Sequence, residues 1–193
     1  MIRIGILGDI GSGKTHIAKK FGYPIFDADL EVSKLYKKDK KTYQSLKKIL
    51  PKYFHIFPID KKEVSYAILD NKNNLNKIVK IIHLKIREKL KIFLKKNKKK
   101  KAIVLDIPLL LENKINNRKD ILVYIESKRS DILKRLKKRK KFNQKLVNKF
   151  RNIQLPLDYK KKKSQFVIKN DFTERTAAKY VKNILNQILK WKK

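Results

Sequence analysis

Eight consecutive residues near the N-terminus limit what this chain can fold into more than any other feature. Gly8-Asp9-Ile10-Gly11-Ser12-Gly13-Lys14-Thr15 satisfies G-x-x-x-x-G-K-[ST] at every position. With 5 Gly, 45 Lys and 11 Ser plus Thr in 193 residues, chance would produce such a match roughly 0.002 times in a chain like this. The run follows the apolar stretch Ile2 to Leu7 and precedes an amphipathic segment carrying Ile17, Ala18 and Phe21. That order reads as strand, glycine loop, helix. Gly8, Gly11 and Gly13 permit turns that aim successive backbone N–H groups at phosphate oxygens, and the start of the helix adds positive potential. Lys14 would reach the β- and γ-phosphates of a nucleoside triphosphate, and the Thr15 hydroxyl would coordinate Mg²⁺.

The rest of the chain fits an α/β fold around that loop. Ala102 to Asp106 and Ile121 to Ile125 are apolar on both faces, as in strands of a parallel sheet. Pro24 to Phe26 and Phe166 to Ile168 are shorter strand candidates. Helical spacing is predicted over 30–36, 43–50, 62–69, 75–94, 130–138, 144–153 and 173–189, and Ile78, Ile82, Ile86, Leu90 and Leu94 form one stripe. The plan is a parallel α/β core with a helical insertion, in a length that suits one domain.

Composition narrows the chemistry further. The absence of cysteine excludes disulfides, zinc fingers, iron–sulfur ligation and thiol catalysis. No apolar run reaches the ~20 residues that span a bilayer, and the opening run Ile2 to Leu7 is too short for a signal h-region and lacks its small-residue cleavage site. A soluble, cytoplasmic protein is expected. The formal net charge is +36, with 45 Lys accompanied by 25 Ile and 14 Asn. That bias points first to an A/T-rich coding sequence spreading lysine over solvated helix faces, and charge alone names no ligand.

Three further places carry candidate chemistry. In Phe26-Asp27-Ala28-Asp29, two carboxylates follow a strand at the sheet end that faces the phosphate loop. Asp29 is read mainly as the group that orients or deprotonates an acceptor hydroxyl and Asp27 mainly as a helix cap, with the opposite assignment open. Asp106 closes its strand in the manner of a Walker-B metal carboxylate, or else serves as a turn or cap residue. Arg135 and Arg139 lie four apart; either can fold over a triphosphate, or belong to a solvated basic face. His16, His55 and His83 do not cluster with other ligand types, and His83 by residue type alone is packed or capping.

The combined pattern resembles the dephospho-CoA kinase family. The likeness rests on Ile6 to Thr15, Phe26 to Asp29, His83, Asp106-Ile107-Pro108-Leu109-Leu110-Leu111-Glu112, Leu133 to Leu136 with Arg139, Gln154-Leu155-Pro156-Leu157 with Lys160, and Phe166 to Asn170, in order across nearly the whole chain. The resemblance implies a P-loop kinase-type three-layer core with a parallel sheet, a helical acceptor-binding insertion and a helical lid. The corresponding spans are 1–29, 102–133 and 165–193 for the core, 30–101 for the insertion and 134–160 for the lid. It implies transfer of the γ-phosphoryl of ATP, with Mg²⁺, to the ribose 3′-hydroxyl of dephospho-CoA in the last step of coenzyme A synthesis. Asp29, Lys14 and Arg139 would be catalytic. Gly8 and Gly11 to His16 would hold ATP, and Thr15 and Asp106 the metal. Asp29, His83, Pro108, Leu109, Leu110 and Glu112 would lie against the acceptor.

The chain departs from the family pattern at Asp9, where a small residue is usual, at His16, at Leu84 in place of proline, and at Arg139-Lys140-Lys141 in place of Arg-Asp-Gly. None removes a group the chemistry requires. The alternatives are another P-loop small-molecule or nucleotide kinase or, from a different class, a basic nucleic-acid-binding protein using lysine runs at 95–101, 134–141 and 160–163. Aromatic residues are not interleaved with those runs, so no specific nucleic-acid partner is expected. A monomer or weak homo-oligomer is.

Overall fold

The computed structural model describes residues 1–140 and 142–191. Lys141, in the lid turn and lysine run noted above, lies outside the described residues, as do the last two residues of the 165–193 span. The described chain divides into two units, one built from 1–27, 97–142 and 154–191 and the other from 28–96 and 143–153.

The first unit holds a parallel sheet of β1 (Ile2–Gly8), β2 (Ile25–Asp27), β3 (Ala102–Asp106), β4 (Ile121–Glu126) and β5 (Phe166–Lys169), in the order β2-β3-β1-β4-β5. Its helices are α1 (Lys14–Lys20), α6 (Arg129–Lys137), α8 (Leu157–Lys163) and α9 (Glu174–Lys190). Side chains alternate across each strand, so Ile2, Ile4 and Ile6 face one way together with Ala102, Val104, Ile121, Val123 and Ile125. Ile17, Ala18 and Phe21 of α1 and the helical stripe Ala177, Val181, Ile184 and Ile188 of α9 cover that face. Each fully buried valine or isoleucine there contributes roughly 1.5–3 kcal/mol relative to exposure. On the opposite face α8 packs on β1 and β4. Gly5 makes room in that layer, because a Cβ on it would stand 2.6 Å from Leu110 Cδ2 and 2.9 Å from Leu122 Cδ2.

The second unit is helical, with α2 (Ala28–Lys38), α3 (Lys40–Ile49), α4 (Lys61–Asp70), α5 (Asn74–Lys96) and α7 (Gln144–Asn152). The predicted stripe on α5 is buried at Ile78, Ile82, Ile86 and Leu90, and α2, α3 and α4 pack on that helix. Helix starts are specified locally: Asp39 caps α3, Asp60 and Glu63 form a capping box on α4, and Asn143 caps α7. Tyr53 donates to Asp70 at 2.5 Å and Lys52 pairs with the same carboxylate at 3.1 Å. The Tyr53 hydrogen bond and then Lys52 hold the Asp70 carboxyl below the usual carboxylate range. Lys149 of α7 donates to the carbonyls of Ile68 (2.5 Å) and Leu69 (3.1 Å), satisfying the last turn of α4.

Candidate functional site

The glycine loop leaves β1 at Gly8 and enters α1 at Lys14. Gly11 and Gly13 have φ of 86° and 93°, a region L-residues with a side chain rarely occupy. Both glycines also admit close neighbours. A Cβ on Gly11 would meet Leu136 at 3.0 Å and Ile132 at 3.1 Å on α6, and one on Gly13 would meet Asn170 Nδ2 at 2.6 Å. Lys14 Nζ spans the loop, donating to the carbonyls of Asp9 (2.7 Å) and Gly8 (3.2 Å). Asp9 turns its own carboxylate to the Ile10 N–H at 2.6 Å.

Thr15 at the first turn of α1 donates its hydroxyl to Asp106 Oδ2 at 2.5 Å. Asp106 ends β3, is buried, and stands in register beside Asp27 at the end of β2. Two hard oxygen donors thus meet at the carboxyl end of the sheet, next to the loop. Among the described residues no group of three His, Asp or Glu side chains forms a metal cage. This donor set fits a magnesium ion that takes one or two protein oxygens and completes its shell from phosphate and water.

The other sequence-predicted residues divide between the two units. His16 pairs with Glu174 at 3.1 Å, and Lys20 pairs with the same carboxylate. The Lys20 hydrogen bond is the main cause holding the Glu174 carboxyl below its ordinary value, with His16 adding a smaller effect. Pro108 and Leu109 are half-buried after β3, while Leu110 is fully buried against Gly5. Glu112 Oε1 pairs with Lys160 Nζ at 2.6 Å and accepts the Leu155 N–H at 3.0 Å. Arg139 is exposed just past α6. Asp29 is exposed in the first turn of α2, and His83 lies on α5, both in the helical unit. Burial and then the nearby Arg87 charge push the His83 imidazole below 6.5, and its Nε2 is buried with no hydrogen-bond partner.

Some contacts around the loop are not implied by any motif. Ser127 Oγ, just after β4, and Asn170 Nδ2, just after β5, both donate to the Ser12 carbonyl, at 3.0 Å and 2.8 Å. Arg135 places its guanidinium 4.3 Å from the centre of the Phe172 ring. Each joins residues remote in sequence; Arg135 and Asn170 fall in segments that carry the family resemblance, whereas Ser127 had no signal beyond its place after a strand.

Comparison with known proteins agrees with the architecture. The dephospho-CoA kinase family model matches residues 2–175. A dephospho-CoA kinase of a Brugia malayi Wolbachia is 33% identical over 190 residues, covering 96% of this chain and 97% of that protein. Among solved structures, a Thermus thermophilus protein matches with a TM-score of 0.77 at 23% identity, covering 96% of this chain and 97% of that one. Dephospho-CoA kinase from Campylobacter jejuni matches with a TM-score of 0.62 at 22% identity, covering 96% of each chain. At those identities the structural likeness is one of fold.

Proposed function

Because the chain belongs to the dephospho-CoA kinase family, we infer that it transfers the γ-phosphoryl group of ATP to the ribose 3′-hydroxyl of dephospho-CoA, giving coenzyme A and ADP. The acceptor oxygen bonds to the γ-phosphorus, the bond from that phosphorus to the β–γ bridging oxygen breaks, and the hydroxyl proton leaves. Positioning and charge neutralisation supply most of the rate in such a transfer. The loop amides from Gly8 and Gly11 to His16 cradle the phosphates, and the Lys14 ammonium neutralises charge at the β- and γ-oxygens. Thr15 and Asp106 would hold the magnesium, which when bound offsets phosphate charge. Asp29 orients the acceptor hydroxyl and takes its proton, and Arg139 screens the transferring group from the lid.

Pro108 and Leu109 offer apolar wall to the acceptor, with Leu110 behind them in the core. Glu112 contributes through its grip on Lys160 and Leu155, and His83 on α5 is assigned to the acceptor side. The proposal assigns the nucleotide chemistry to the core spans 1–29, 102–133 and 165–193, the acceptor helices to 30–101 and the lid to 134–160. Among the described residues no helix is long and apolar enough to cross a membrane. The proposal is completed by a cytoplasmic location, a monomer or weak homo-oligomer, and no specific nucleic-acid partner.

The observation that carries the reading is the 2.5 Å bond from Thr15 in the complete loop to Asp106 at the end of β3, within a chain of this family. ADP release from ATP and Mg²⁺ tests it. Release should depend on dephospho-CoA and yield coenzyme A; release unaffected by dephospho-CoA, or faster with another hydroxyl acceptor, would overturn the assignment.

A further inference from the structure

We propose that Asn170 and Ser127 are positioning residues for phosphate binding, acting through a single peptide group, the one between Ser12 and Gly13. The inference rests on the reading of Gly8–Thr15 as the ATP loop and goes beyond it by naming what aims one of the loop's amides.

The Ser12 carbonyl receives two donors, Asn170 Nδ2 at 2.8 Å and Ser127 Oγ at 3.0 Å. Ser12 is wholly buried and Asn170 nearly so. In a planar trans peptide the C=O and the following N–H point in opposite directions. Two donors that pin the Ser12 oxygen from one side therefore direct the Gly13 N–H to the other, away from β4 and β5. Without them that peptide can rotate, because the φ of a glycine is soft and Gly13 already sits at 93°.

Neither donor is itself loose. Asn170 continues the β4–β5 ladder by donating its backbone N–H to Glu126 O at 2.7 Å, and its Oδ1 accepts the Phe172 N–H at 3.1 Å. Its amide side chain is thus oriented at both ends, which fixes Nδ2 toward Ser12. Ser127 directly follows Glu126, the last residue of β4. The missing Cβ of Gly13 serves the same arrangement, since one would stand 2.6 Å from Asn170 Nδ2. Two adjacent strand ends thereby set the direction of one loop amide, and neither side chain needs to touch nucleotide.

The test compares Asn170→Ala, Asn170→Asp, Ser127→Ala and the Asn170→Ala/Ser127→Ala double variant with the unaltered full chain. It reads the KM for ATP, the KM for dephospho-CoA, the melting temperature, and the Kd for inorganic tripolyphosphate by calorimetry. Tripolyphosphate engages the loop without base or ribose. One lost hydrogen bond of ordinary strength corresponds to about a three- to tenfold change, so Asn170→Ala should raise both the ATP KM and the tripolyphosphate Kd by that factor. The KM for dephospho-CoA should stay within twofold. Ser127→Ala should cost about two- to threefold alone, and the double variant more than the product of the singles, because the two donors serve one oxygen.

Asn170→Asp separates this from a structural role. It keeps the acceptor for Phe172 N–H and loses the donor to Ser12, so it should be impaired at least as much as Asn170→Ala. Wild-type tripolyphosphate affinity in Asn170→Asp or in the double variant would overturn the proposal, as would an equal rise in both KM values. If Asn170→Ala fails to fold, Ser127→Ala and Asn170→Asp carry the same decision. Failure of the wild-type chain to make coenzyme A would instead count against the kinase assignment, and tripolyphosphate binding is read independently of it.

Discussion

Replacing Lys160 by methionine isolates the Glu112 carboxylate, and the structure allows the cost to be sized. The pair is 2.6 Å apart with side chains only 1% and 8% exposed. At an effective dielectric constant of about 20, unit charges at that separation attract by about 6 kcal/mol, while removing two ions from water costs several kcal/mol each. The intact pair is therefore near balance. Lys160→Met deletes the attraction and leaves the desolvation of Glu112, a loss of about 3–5 kcal/mol. Leu155 N–H still donates to Oε1, but Oε2 is buried with no hydrogen-bond partner, so nothing local compensates. At roughly 2–4 °C per kcal/mol for a chain of this size, the melting temperature should fall by about 6–20 °C.

The paired change Lys160→Met with Glu112→Gln removes both charges and keeps an acceptor for Leu155 N–H. Most of the loss should then return. Urea unfolding of the four proteins, followed by circular dichroism and closed as a double-mutant cycle, should give a coupling of about 2 kcal/mol or more. The reasoning is refuted if Lys160→Met lies within about 1 kcal/mol of wild type, or if the paired variant is no more stable than the single one.

Asp29→Asn should lower kcat by about 10²–10⁴ while leaving the KM for ATP nearly intact; a lower melting temperature with unchanged turnover per folded molecule would make Asp29 an acidic first-turn residue that stabilises the start of α2 instead. His83 should titrate below the ordinary imidazole value of 6.5 when followed by NMR, because burial and then Arg87 disfavour its charged form. Because its folded pKa is depressed, it contributes stability that is present above the unfolded value of about 6.5 and lost as pH falls from there through the folded value. A pH series of unfolding free energies on wild type and His83→Gln should show that acid-side loss only in the wild type. Replacing four lysines within 95–101 by glutamine should leave turnover unchanged and reduce retention on DNA, with the remaining binding falling steeply as salt rises; salt-insensitive, sequence-selective binding would contradict the assignment of that charge to composition.

Much of the sheet was legible because its strands are apolar on both faces and end in glycine, aspartate or polar turns. Ile2–Gly8, Ala102–Asp106 and Ile121–Glu126 lie where the pattern put them to within a residue. The long stripe on α5 was equally clear, since 3.6-residue periodicity survives a lysine-rich background. Helix α8 was not foreseen: Leu157-Asp158-Tyr159-Lys160-Lys161-Lys162-Lys163 has no apolar stripe. Its one buried side chain, Lys160, was marked only by the family resemblance, since composition and periodicity do not separate it from the lysines beside it; its partner Glu112 lies 48 positions earlier. The same holds for Asn170, whose target is a carbonyl 158 residues away. Polar contacts of that kind leave no periodicity, whereas the loop itself is local and was read complete. Segment 134–160, continuous in sequence, is divided at 142/143 and 153/154, α7 falling in the helical unit where Lys149 closes the end of α4.

The space that Gly11 leaves for Ile132 and Leu136 has a mechanical corollary. A helix that rests on the phosphate loop through two buried side chains, with only 3.0–3.1 Å to where a Cβ would stand, cannot swing as a body without dragging that loop. If 134–160 closes as a lid, its pivot would therefore lie beyond Leu136. Arg135, upstream of Leu136, lies on the Phe172 ring. Arg139, three residues past Leu136, is exposed beyond that contact, so two cations only four positions apart have different supports.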